Sequence, residues 1–169
     1  MNRKIRTSEI ILLTGLSFIF LFMIVHDWVP LGQLNDVQAV SESRSVNELI
    51  VVTLIGATQI LLLMALVLLF MGRKKPLWIK LWLIIHQGFI FAGVLLDWWI
   101  PYLLGFGAKE KTERYMEMFG NTHAFLPVNN GIVPNTIHVV FHFTLLVCLL
   151  VTIYISFTRP KHNQYILQS

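Results

Sequence analysis

Four stretches of this 169-residue chain, 10–30, 49–71, 81–102 and 137–158, hold no Lys or Arg. Each is about as long as the roughly 20 apolar residues a helix needs to cross a hydrocarbon core. Together they take up about half the sequence, and no room is left for a separate soluble domain. With 56% hydrophobic and 13% charged residues, a soluble domain of this size is excluded. The expected fold is an all-α integral membrane protein, a single four-helix transmembrane domain over 1–169. Its spans are predicted at about 8–30, 47–71, 77–103 and 135–158, and the lipid bilayer is its first partner.

A formal net charge of +4 could suggest a polyanion partner, but the distribution of charge points elsewhere. Arg3, Lys4 and Arg6 precede the first span, Arg73, Lys74, Lys75 and Lys80 fall between the second and third, and Arg159 and Lys161 follow the fourth. These segments share one side of a four-span protein, and short loops rich in Lys and Arg stay in the cytoplasm. Both termini are therefore expected inside, with the chain passing several times through the plasma membrane and no nucleic acid as a partner. The loops on the other side carry mixed charge and face out. No small-x-small cleavage site follows residues 1–30, so they read as a retained span and not as a signal peptide. Cys148, the only cysteine, lies in the fourth span, where a buried thiol is ordinarily inert.

The first and third spans close in the same way, with Asp27-Trp28-Val29-Pro30 and Asp97-Trp98-Trp99-Ile100-Pro101. Asn47-Glu48-Leu49 entering the second span also reads against Asn135-Thr136-Ile137 entering the fourth. The pattern predicts two tandem helical hairpins related by a pseudo-twofold axis along the membrane normal. Pro30 and Pro101 are expected to end their helices by removing a backbone donor. The outer segment 31–46, with Gly32 and a run of serines, reads as a mobile loop. The outer segment 105–134 reads as a lid, in which an amphipathic helix over 109–119 is followed by the turn residues Gly120, Pro127, Asn129, Asn130, Gly131 and Pro134.

An ionisable side chain inside a span is costly and raises the hypothesis of a function. At about 1.5 Å of rise per residue, His26, Asp27, Asp97 and His138 fall about one turn from the outer helix ends, with His142 one turn deeper. His138 and His142, four apart, share a helix face. These five are the candidate ligands of a divalent transition metal, with His123 of the lid a possible sixth. Asp97, His138 and His142 are also the candidates for acid-base chemistry. A deeper tier of His86, Gln87 and Gln59 is the candidate cofactor site, although buried amides commonly serve as interhelical hydrogen bonds. Haem between His86 and His142 is the weaker option, because their depths differ by about two turns. Gly56, Gly88 and Gly93 are expected to let backbones approach closely.

These residues point to an outward-facing His, Asp and Trp pocket that binds a metal ion or small ligand, with acid-base or metal-assisted chemistry within its means. The alternative is a non-catalytic membrane subunit whose polar layer fixes helix register and whose outer loop docks a partner.

Overall fold

The computed structural model describes residues 4–158; Arg3, Arg159 and Lys161, counted in the charge asymmetry above, lie outside them. The protein is all-helical, with 74% helix and no strand among the described residues. In chain order the helices are α1 (Thr7–Val25), α2 (Val37–Ser43), α3 (Val46–Leu69), α4 (Leu77–Val94), α5 (Ile100–Leu104), α6 (Ala108–Phe119) and α7 (Thr136–Phe157). A π-helical turn, Leu95–Trp99, joins α4 to α5 without a break. Four helices are long and apolar enough to cross a membrane: α1, α3, the continuous Leu77–Leu104 and α7.

Each of these helices is apolar all round, yet each buries only a narrow stripe. In α1 the stripe is Leu12, Leu16, Ile19 and Phe22; in α7 it is Phe141, Leu145, Cys148, Thr152 and Ile155. Spacings of three and four put such residues on one face. The remaining apolar surface, including Leu21, Leu54, Phe89 and Phe143, is exposed, as expected where lipid rather than water is the solvent. α1 packs along both α3 and α7, and α7 along α4, whereas no comparable contact joins α3 to α4. Two glycines set the closest approaches. A Cβ at Gly15 would lie 2.5 Å from Cys148 Sγ, and one at Gly56 would lie 2.8 Å from Met23 Sδ. Gly88 and Gly93 do not play this part, since a Cβ at either position would meet nothing within 4 Å.

One end of the bundle is tied by charge. Glu9, fully buried, accepts from Lys75 Nζ at 2.8 Å and from the Arg6 amide at 3.1 Å. The Arg6 guanidinium donates to Thr158 O at 3.1 Å and Thr158 Oγ1 at 2.6 Å, and Lys80 Nζ donates to Ser156 O at 2.9 Å. The last carbonyls of a helix have no partners within it and carry the negative end of its dipole, so cations are favoured there. The starts of α1 and α4 and the end of α7 therefore meet at this end. Deeper in the bundle, Gln87 Nε2 donates to Leu83 O at 3.1 Å and to Thr152 Oγ1 at 3.0 Å, linking α4 to α7. This engages Gln87 as an interhelical bond.

At the other end α2 and α6 pack together over the helix ends. A second apolar core forms there from Val40, Leu49, Trp98, Tyr102, Tyr115, Met118, Phe119 and Ile132, among others. The segment 31–46 is therefore structured where a mobile loop was expected. Asp36 caps α2 by accepting from the Ala39 amide at 3.0 Å, and Val40 is buried under α6; together these outweigh the turn-forming tendency of Gly32 and the serines. A turn with Asn130 at φ 50° and Gly131 at φ 76° lets Asn129 and Asn130 both donate to Tyr102 O, at 2.8 and 2.9 Å. That ties the segment after α6 to the end of α5.

Candidate functional site

The site begins with a proline that does not end its helix. Pro101 lacks an amide hydrogen, so the carbonyl four residues back, Asp97 O, has lost its usual donor. The π turn widens the helix at the same place, with the Ile100 amide bonding to Leu95 O. The lid supplies replacement donors. Lys111 Nζ donates to Asp97 O at 3.1 Å and Leu96 O at 3.3 Å, and Tyr115 OH donates to Asp97 O at 3.2 Å. Lys111 also pairs with the Asp97 carboxylate. Burial, and next the negative charge of Asp97, raise the Tyr115 pKa above the ordinary phenol range, so the hydroxyl remains a donor. The expected stop at Pro101 is corrected on these grounds: α6 satisfies what the proline leaves open, and the helix runs on to Leu104.

Beneath this junction is a cavity of about 250 Å³. His26, Asp27, Asp97, His138 and His142 all line it, brought together from α7, the turn after α1 and the π turn. Trp98, Tyr115 and Phe119 close it from the lid side. His26 and His138 stand 5.7 Å apart between ring centroids, and His138 and His142 stand 6.0 Å apart. Aromatic rings hold them in place: Phe22 stacks on His26 at 4.2 Å, and Trp98 lies 4.7 Å from His138.

Their hydrogen bonds fix how most of the ring nitrogens are used. His26 Nδ1 donates to Phe22 O at 2.9 Å, and its Nε2 faces Asp27 Oδ1 at 3.2 Å. Because a carbonyl only accepts, Nδ1 carries hydrogen, and Nε2 is the ring nitrogen turned to the carboxylate. Asn135 caps α7 by accepting from the His138 amide at 3.2 Å, and the same Oδ1 accepts from His138 Nδ1 at 2.5 Å. His138 Nε2 is thereby left as a basic nitrogen. His142 differs from the other two, since its Nδ1 is buried with no hydrogen-bond partner among the described residues.

Of the remaining candidates, His123 does not join the cavity. Its amide donates to Gln33 O at 2.6 Å and its Nδ1 pairs with Thr136 Oγ1 at 2.7 Å, so it fastens the lid to the first outer segment and to α7. His86 stacks on Trp82 at 5.6 Å, its Nε2 buried without a partner, and lies outside the cavity with the half-buried Gln59. His142 lines this cavity and His86 does not, so the pair named for haem is not brought together there. Nor do the five outer residues make a metal centre. Among the described residues no group of three or more His, Cys, Asp or Glu side chains is placed to hold a metal ion. The physical reason is competition: Asp27 is turned to His26, Asp97 to Lys111 and His138 Nδ1 to Asn135, so the donors do not converge on one point.

Sequence reasoning missed Arg44. It lines the cavity from the residue after α2, and its Nε is buried with no hydrogen-bond partner among the described residues. None of the ion pairs formed among the described residues includes it. Its one sequence signal was a lone cation in a serine-rich stretch two residues before a span.

The geometry is that of a helical protein with four helices long and apolar enough to span a membrane and a lidded cavity at one end. The chain matches no protein-family model, no curated protein and no solved structure.

Proposed function

We propose that this protein binds a small ligand in the cavity under α6, with His142 and Arg44 as polar anchors and the His26–Asp27 pair able to exchange a proton with it. One observation carries this reading. Two buried polar atoms without partners, His142 Nδ1 and Arg44 Nε, belong to residues lining the same cavity. Leaving such an atom unsatisfied costs about 1–3 kcal/mol, more when it is charged, so a ligand that bonds to both removes a real penalty. Acid-base exchange would draw on His138 Nε2 and the His26–Asp27 pair, whose imidazole rings stand 5.7 Å apart. The accompanying topology is two tandem hairpins in the plasma membrane, with both termini in the cytoplasm and the lid outside. A fluorescent protein fused to the C-terminus should then be bright, and a phosphatase fused there inactive; the reverse pattern overturns the orientation.

Binding is tested by native mass spectrometry of the protein in mild detergent, comparing the parent with His142→Phe. A histidine that served only the fold would lower the melting temperature when replaced. An unsatisfied one should do the opposite, because an apolar ring of similar shape removes the desolvation penalty. We expect a bound species on the parent, its loss in His142→Phe, and an unchanged or higher melting temperature. A parent that carries nothing, or a variant that keeps the bound species, sinks the reading.

A further inference from the structure

We infer that the ligand is an anionic amphiphile taken from the bilayer, a lipid or lipid-derived molecule bearing a phosphate, which enters sideways between α3 and α4. The inference rests on the pocket reading above and adds to it a ligand class and a route.

The route follows from which parts of the lining are exposed. The ceiling is closed: Val40, Tyr115, Met118 and Phe119 are all buried in the lid core. The exposed lining residues are Val52 on α3, Gly93 on α4 and Asp97 on the π turn, whose side chain is 59% exposed. The mouth is therefore lateral, and it opens between α3 and α4, which share no contact comparable to that of α1 with α3 or of α7 with α4. Space is free there, as a Cβ on Gly93 would meet nothing within 4 Å. Val52 and Gly93 both lie within apolar spans, so the edge of the mouth that they form faces hydrocarbon, while Asp97, paired with Lys111 of the lid, forms its headgroup edge. A molecule already dissolved in lipid reaches it directly.

The head chemistry follows from Arg44. It lies two residues before α3 begins, at headgroup level for that span. Neither acid of the cavity is bonded to it: Asp27 lies against His26 and Asp97 against Lys111. A guanidinium offers a planar fork of donors that matches a phosphate with two parallel bonds. His142 Nδ1 supplies a second polar contact in the same cavity. At about 250 Å³ the space is below the roughly 300 Å³ at which pockets begin to enclose drug-sized ligands. It admits a headgroup and the first carbons, while the chains stay in the cleft and the bilayer.

The test uses the full chain with Trp28, Trp78, Trp82 and Trp99 changed to Phe, leaving the buried Trp98 beside the cavity as the only indole. It is reconstituted in phosphatidylcholine vesicles doped with brominated phosphatidylglycerol or, at the same mole fraction, brominated phosphatidylcholine. We expect the anionic lipid to quench Trp98 severalfold more strongly. That excess should vanish in Arg44→Gln, which removes the fork, and in Gly93→Leu, whose Cβ meets nothing within 4 Å, whose side chain narrows the mouth and which favours the helix. Circular dichroism identical to the parent's shows that both variants are folded. Equal quenching by the two lipids, or an excess that survives both variants, overturns the inference. Soluble glycerol phosphate that abolishes the excess would make a water-borne anion the ligand and end the lateral route, while the pocket reading stands. If the quenching excess and the bound species in the mass spectrum are both missing, both readings fall.

Discussion

Replacing Trp98 with alanine is expected to destabilise the protein by about 3–5 kcal/mol, the usual loss for a buried tryptophan, and to open the lid to proteases. Trp98 is 6% exposed and holds together everything at the lid junction. Its ring lies 4.6 Å from Tyr115, 5.3 Å from Phe119 and 4.7 Å from His138, so its removal unseats the lid and one wall of the cavity together. Trp28 occupies the matching place in the other Asp-Trp motif but is 38% exposed, and its indole donates one hydrogen bond to Thr53 Oγ1 at 2.8 Å. Trp28→Ala should therefore cost only about 1 kcal/mol, the net worth of a typical hydrogen bond. Thermal melting in detergent and limited proteolysis of 105–134 separate the two variants. If they melt together and the lid resists protease in both, Trp98 does not anchor it.

Lys75→Met should be comparably damaging at the opposite end. Glu9 is 0% exposed and Lys75 5%, and the 2.8 Å bond between them runs from the start of α1 to the loop before α4. Withdrawing the cation from so deeply buried a carboxylate typically costs about 3–5 kcal/mol, whereas replacing both charges with neutral groups is often close to neutral. The Glu9→Gln/Lys75→Met pair should thus melt well above Lys75→Met alone. A double-mutant cycle on the melting data measures this coupling. A double variant no more stable than the single one would show that the charges do not act as a pair.

Much of this organisation was legible in the sequence because depth in a membrane helix is a matter of counting. The apolar runs gave the four long helices, and distance from each run's end gave one layer to His26, Asp27, Asp97, His138 and His142, which do line one cavity. Counting says nothing about direction across the bundle. That is why His123, close in sequence to the site, turns instead toward Thr136, and why donors at a common depth do not make a metal centre. Rules for isolated helices failed where a neighbouring element intervened. Pro101 read as a stop because the donors that rescue its helix, Lys111 and Tyr115, come from α6. Arg44 was invisible as a site residue because its position depends on α2, a seven-residue helix that needs packing against α6 as well as its Asp36 cap. The tryptophans of the twin Asp-Trp motifs diverge for the same reason, since Trp98 is covered by α6 while Trp28 is 38% exposed.

The two ends of the bundle should also differ in how readily they exchange amide hydrogens. Helix termini ordinarily fray first, but the final turn of α7 is held by side chains from the beginnings of two other helices, Arg6 and Lys80. Deuterium should therefore enter the backbone of 105–134 early and the last turn of α7 late. Unfolding would then start from the lid and move down, with the charged end as the last structure to be lost.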